Sequence, residues 1–156
     1  MLFAVIGFGF FATILDPTRT GADNGNVMTV ESRSGIDLVL LWFGVTMVLS
    51  GVITRFVAIA TLKKNFSSRL RIRDDHALIK TSIYRWIRHP AYLGLILVFL
   101  GIPVIESSVL GFLVMLLIVP LLIHRISLEE SMLIERFGAE YEEYRKNSKK
   151  LIPFLY

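Results

Sequence analysis

The chain has 156 residues, of which 54% are hydrophobic and only 19% charged, and its mean hydropathy is +0.62. Soluble domains run to about a quarter charged, so this balance excludes a disordered chain, speaks against a water-soluble globule and predicts a single membrane-embedded domain. Cysteine is absent, which removes disulfides, cysteine-held metals and thiol nucleophiles, and the net charge of +4 sits in local clusters that need no nucleic-acid partner to explain them.

Residues 1–15 form an apolar, phenylalanine-rich run without charge. No basic region precedes it and no small-residue cleavage site follows, so it makes a poor signal peptide and a better membrane helix. At ~1.5 Å per residue it reaches about 22 Å, so it spans the hydrocarbon core only with local thinning or a short extension. Residues 16–35, with Pro17, Gly21, Asn24, Gly25 and Asn26, read as a polar loop. Residues 36–53 are the clearest span: Asp37 lies at the outer end, and Arg55 is placed to snorkel at the inner one.

Between residues 61 and 90 stand Lys63, Lys64, Arg69, Arg71, Arg73, Lys80, Arg85 and Arg88 against only Asp74 and Asp75, which the positive-inside rule assigns to the cytoplasm. Residues 91–126 are apolar but interrupted by Pro103 and by Glu106, Ser107 and Ser108, a pattern for two short antiparallel helices with a tight turn. The tail, residues 127–156, begins acidic and ends basic, with Leu133, Ile134, Phe137, Tyr141 and Tyr144 three or four apart; this is the pattern of an amphipathic helix packed on the protein or the membrane surface. The expected fold is all-α and integral to the membrane, with about four transmembrane helices, a C-terminal helical hairpin and a cytoplasmic amphipathic tail helix.

The hairpin returns His124-Arg125 and Glu129-Glu130 toward the stretch from Tyr84 to Tyr92. Arg, Trp, Tyr and His also anchor helices at membrane interfaces, so composition alone does not separate a site from an anchor belt. The order of residues says more. His89-Pro90 fixes the backbone at a helix entrance, where proline costs no hydrogen bond, and Tyr92 follows one turn later. Arg125 and Glu129 share a helix face and can hold one ligand between them or simply pair with each other. Glu130, about 100 degrees round the helix, should face water or a second partner. His76, His89 and His124 form no His-x-x-x-His pair, so no metal is expected, and the absence of Gly-x-Gly-x-x-Gly gives no support to a Rossmann cofactor site.

Tyr84-x-x-x-Arg88-His89-Pro90-x-Tyr92-x-Gly94, then Arg125-x-x-x-Glu129-Glu130, Phe137-Gly138-x-x-Tyr141-x-x-Tyr144 and a terminal Pro153-Phe154 resemble the isoprenylcysteine carboxyl methyltransferase family and its phospholipid methyltransferase relatives. The likeness covers roughly residues 65–154. It implies an all-helical membrane methyltransferase that binds S-adenosylmethionine at the cytoplasmic face and takes a lipophilic or lipidated acceptor from the membrane lipid. On this resemblance His76, Ala77, Leu78, Ile79, Tyr84, His89, Pro90, Ala91, Tyr92 and Glu129 contact the cofactor, Arg125 holds the acceptor, and Arg125 and Glu129 form the catalytic pair. One domain then covers residues 1–156, with N-terminal transmembrane helices in 1–60 and the cofactor-binding and catalytic part in 61–156. The sequence departs from the family where Ser82-Ile83 replace a glycine dipeptide before Tyr84, and where Arg71 stands in place of Gln or Glu.

An acceptor carboxylate with a pKa of ~4 is already ionised at neutral pH and needs no base, whereas an amine with a pKa of ~10 must first lose a proton. Carboxyl O-methylation is the expected reaction. Phospholipid amine N-methylation and a non-catalytic four-helix transporter or scaffold are the alternatives.

Overall fold

The computed structural model describes residues 2–16, 35–62 and 78–152. These form α1 (Leu2–Leu15), α2 (Gly35–Leu62), a 3-10 turn (Ser82–Arg85), α3 (Pro90–Ile105), α4 (Val109–Leu116), α5 (Ile118–Phe137) and α6 (Ala139–Asn147). Among the described residues the regular elements are all helical, as the apolar runs predict. α2 extends beyond the expected span, because the apolar stretch after Arg55 contains no helix breaker. Proline opens α3 at its first position, where its missing N–H is no loss.

Pro103, inside α3, does not end that helix. The turn comes after Ile105, with Ser107 in the left-handed region at φ 52°, and Ser108 caps α4 by accepting the Gly111 N–H at 3.0 Å. A second break falls at Leu117, three residues before Pro120, whose ring cannot donate to the carbonyl of Leu116. Helix then continues without interruption through Phe137, so the stretch from Ser127 onward prolongs the hairpin's second arm. Gly138, at φ 51°, divides the expected tail stripe: Leu133, Ile134 and Phe137 belong to α5, and Tyr141 and Tyr144 to α6.

Two compact units are present. The first comprises residues 1–51 and 96–121. In it α2 and α3 approach through glycines: a Cβ on Gly44 would lie 2.7 Å from the Ile105 nitrogen and 2.8 Å from the Gly101 carbonyl oxygen, the close backbone packing by which membrane helices associate. α1 packs on α4, with Gly111 against Thr13. Asp16, expected in a polar loop, is instead buried, and its Oδ2 accepts from the Ser108 hydroxyl at 2.6 Å and the Leu110 N–H at 2.9 Å. The unpaired N–H groups at the start of a helix favour such an anion.

The second unit comprises residues 52–95 and 122–156. Its core is built from Tyr84, Ile87, Leu122, Ile126, Tyr141, Tyr144 and Leu151. The segment after α6 runs beside the one after the 3-10 turn: Arg88 N donates to Lys149 O at 2.8 Å, Lys149 N to Trp86 O at 2.9 Å and His89 N to Lys150 O at 3.1 Å.

α2 and residues 109–137 are long and apolar enough to cross a membrane, and α3 is a shorter apolar helix. A core helix of a soluble protein would be covered. Here α2 presents large apolar side chains outward, with Trp42 67% and Phe56 72% exposed, a surface suited to lipid.

Candidate active site

The site grows from the entrance to α3. Pro90 sets the first turn, where Tyr92 N and Leu93 N both donate to the His89 carbonyl. That turn carries Tyr92 alongside His89, their rings edge to face with centroids 5.9 Å apart. The His89 ring is buried.

Opposite stands α5. Tyr92 donates its hydroxyl hydrogen to Glu129 Oε2 at 2.8 Å and accepts from Arg125 Nε at 3.1 Å. The four-residue spacing of Arg125 and Glu129 puts both on the face toward α3, and one phenol oxygen joins them. The cluster is thus a cation, an anion and an aromatic hydroxyl on two helices.

Glu130 takes the second of its two expected surroundings, a partner rather than water. It is 5% exposed, and its Oε1 accepts from Arg88 Nε at 2.8 Å and lies 3.3 Å from His89 Nε2 and 3.5 Å from the Tyr141 hydroxyl, while Lys150 Nζ is 3.6 Å from Oε2. Arg88 also donates to the carbonyls of Ser148 and Arg145. A rotation of 100 degrees from Glu129 points to water only on an isolated helix. Here α6 and the segment behind it occupy that side.

Arg55, at the inner end of the expected span, donates from its guanidinium to the Ala91 carbonyl at 3.1 Å. Beneath the cluster, Tyr144 donates to the Tyr84 carbonyl at 2.5 Å. Burial raises the pKa of the phenols of Tyr84 and Tyr141 well above the ordinary value, with the nearby charges of Glu129 and Glu130 respectively adding to it, and pushes that of Tyr144 up to about 12.

Of the residues expected in the site, Tyr84, His89, Pro90, Ala91, Tyr92, Arg125 and Glu129 all fall in this unit. Tyr92 links His89, Arg125 and Glu129 directly. Leu78 and Ile79 lie half-buried just ahead of the 3-10 turn. His76 and Ala77 lie outside the described residues. Sequence reading passed over Glu130, Arg88 and Lys150 as a linked group. Their signal was the charge of Arg88 beside His89 and the second glutamate beside the first.

Residues 44–135 match the model of the isoprenylcysteine carboxyl methyltransferase family. The chain belongs to that family. Protein-S-isoprenylcysteine O-methyltransferase of Saccharomyces cerevisiae is 35% identical over 115 residues, which are 72% of this chain and 48% of the yeast protein. A probable protein-S-isoprenylcysteine O-methyltransferase of Oryza sativa subsp. indica is 34% identical over 121 residues, 73% of this chain and 63% of the rice protein. The chain therefore spans between about half and two thirds of the length of these relatives. The solved structure of the eukaryotic intramembrane Ras methyltransferase, an isoprenylcysteine carboxyl methyltransferase, superposes with a TM-score of 0.67 at 26% identity, over 99% of this chain and 64% of the other. With the exposed apolar helices, this likeness identifies the chain as a membrane protein.

Proposed function

We propose that this chain catalyses S-adenosylmethionine-dependent O-methylation of a carboxylate borne by a lipidated acceptor, at the cytoplasmic face of the membrane. The single observation that carries the reading is the Tyr92 hydroxyl shared between Arg125 and Glu129, in a chain whose relatives are named protein-S-isoprenylcysteine O-methyltransferases. The groups present suit such a cofactor. Glu129 spends one oxygen on Tyr92 and, as a carboxylate, has further acceptor capacity for a cationic or N–H-bearing ligand. When bound, S-adenosylmethionine supplies a methyl group made electrophilic by its sulfonium sulfur.

His89, Pro90, Ala91, Tyr92 and Glu129, with Tyr84 and the stretch from His76 to Ile79, are the proposed cofactor contacts. Arg125 holds the acceptor carboxylate through its planar fork. Tyr92 fixes Nε of that fork, so the anion is presented in one orientation. An ionised carboxylate needs no general base, so the residues' work is orientation, charge pairing and exclusion of water. In this reading the chain is one domain of about four crossings, the basic stretch of residues 61–90 and the segment beyond residue 127 face the cytoplasm, and α6 lies at that surface.

The test is incubation of the purified full chain with labelled S-adenosylmethionine and either an N-acetylated S-prenylcysteine or native phospholipids. Base-labile label on the prenylcysteine supports the proposal. Label confined to phospholipid amines would replace it with N-methylation, and no transfer with no cofactor binding would favour a scaffold. Cysteine-accessibility labelling at positions 70 and 145 should report the same, cytoplasmic side.

A further inference from the structure

Among the described side chains in this unit, Glu130 concentrates more partners than any role so far given to it requires. It is buried, it meets Arg88, His89, Tyr141 and Lys150, and it stands beside the proposed cofactor carboxylate without touching Tyr92 or Arg125 through any bond described above. We infer that Glu130 is a positioning residue: its contact with His89 Nε2 sets the ring's tautomer and plane, and with Arg88 it clamps the segment of residues 148–150 against the entrance of α3. This deepens the functional reading above and rests on it for the meaning of the site, though not for its own test.

The chemistry runs through single atoms. Beside the Arg88 guanidinium, Glu130 acts as a carboxylate, which only accepts hydrogen bonds. The His89 nitrogen that faces it at 3.3 Å must then be the one that carries hydrogen. In the neutral imidazole Nδ1 is left as the acceptor, because the partner of one ring nitrogen decides the state of the other. The ring so fixed packs edge to face on Tyr92, and Tyr92 holds both Arg125 and Glu129. Glu130 therefore acts at one remove: it orders His89, His89 orders Tyr92, and Tyr92 orders the groups proposed to meet cofactor and acceptor.

The clamp is the second half of the device. Arg88 donates to Glu130 and to the carbonyls of Ser148 and Arg145, Lys150 approaches the other Glu130 oxygen, and three backbone hydrogen bonds tie residues 149 and 150 to residues 86, 88 and 89. The segment behind α6 is thereby part of the wall that seats His89.

Two conservative variants separate positioning from charge balance. Glu130→Gln keeps the reach and one acceptor oxygen but loses the charge. Glu130→Asp keeps the charge but draws it back by about 1.5 Å, one carbon–carbon bond, out of reach of His89. The chain has three histidines, so the full protein labelled with 15N-histidine gives three pairs of ring-nitrogen signals, and His89→Gln identifies the relevant pair. Binding of S-adenosylhomocysteine is measured by calorimetry on the same samples.

The expected result is an Nε2–H tautomer for His89 in the wild type and in Glu130→Gln, with affinity within about threefold. In Glu130→Asp the tautomers mix and affinity falls about tenfold, because His89 no longer holds one ring state and plane beside Tyr92. The reverse ranking, with Asp tolerated and Gln not, overturns the inference and leaves Glu130 as a counter-ion of Arg88. Equal behaviour of the two variants, or an unchanged tautomer in Glu130→Asp, overturns it as well. A wild type that binds no S-adenosylhomocysteine would instead sink the functional reading, and the tautomer comparison would still decide this one.

Discussion

Asp16 and Glu130 are both buried carboxylates, and they are satisfied in different ways. Asp16 accepts from one hydroxyl and one backbone N–H at the first turn of α4, dipoles supplied by a helix end. Glu130 takes a guanidinium, an imidazole, a phenol and an ammonium group drawn from three separate stretches of chain. The first arrangement pins α1 to the hairpin turn. The second gathers ionisable side chains next to the Tyr92, Arg125 and Glu129 cluster, and assembling that many is worth its desolvation cost only where their placement serves something else. The contrast separates a structural carboxylate from one that belongs to a site.

The largest expected effect falls on the site beside Glu130. Arg125→Lys keeps the charge but loses the fork and the Nε contact with Tyr92, so methyl transfer to the acceptor should drop about a hundredfold while affinity for S-adenosylhomocysteine hardly changes. A lysine anchors to lipid phosphate as well as an arginine does, so wild-type turnover in this variant would make Arg125 an anchor and remove the site side of the contrast.

Next come His89→Ala and Glu129→Ala. Each should weaken calorimetric binding of S-adenosylhomocysteine about tenfold to a hundredfold, with the helical circular dichroism retained. Unchanged affinity in both, against a wild type that binds well, would move the cofactor elsewhere.

Asp16→Ala should show the opposite signature. Removal of a carboxylate that satisfies two donors costs about 1.5–3 kcal/mol of stability, seen as a lower melting temperature in detergent, whereas turnover of the protein still folded should match the wild type. A turnover loss without a stability loss would place Asp16 with Glu130 and dissolve the distinction.

The smallest effect concerns the buried phenols. Tyr144 titrates at about 12 in the folded chain against an ordinary 10.0, and Tyr84 and Tyr141 are raised as well. Because the folded value lies above the unfolded one, this contribution is complete below pH ~10 and is lost as pH rises through 10 toward 12. Tyr144→Phe, which also gives up the bond to the Tyr84 carbonyl, should cost about 1 kcal/mol at pH 7 and make alkaline unfolding, followed by tyrosinate absorbance, less steep over that window. An unchanged alkaline midpoint and slope would show that Tyr144 ionises without consequence for folding.

Much of this molecule was legible in the residue order. Long apolar runs can only be helices where no water satisfies the backbone, Pro90 marks the start of a helix by its missing N–H, and Arg125 and Glu129 share a face because helical geometry is local. The hairpin brings that face toward the stretch ending at Tyr92, but the phenol bond to Arg125 and Glu129 is a tertiary contact. Glu130 could not be read in this way. Its orientation on α5 was calculable, but whether that direction meets water or protein depends on where Gly138 turns the chain and on the return of residues 148–150 beside Trp86 and His89. Asp16 is the same case in the other unit: a loop-like residue by composition, buried because α4 offers its N-terminus there. Periodicity fixes what lies along one helix, whereas the partner of a buried charge comes from a distant part of the chain, and only the packed tertiary structure decides which part that is.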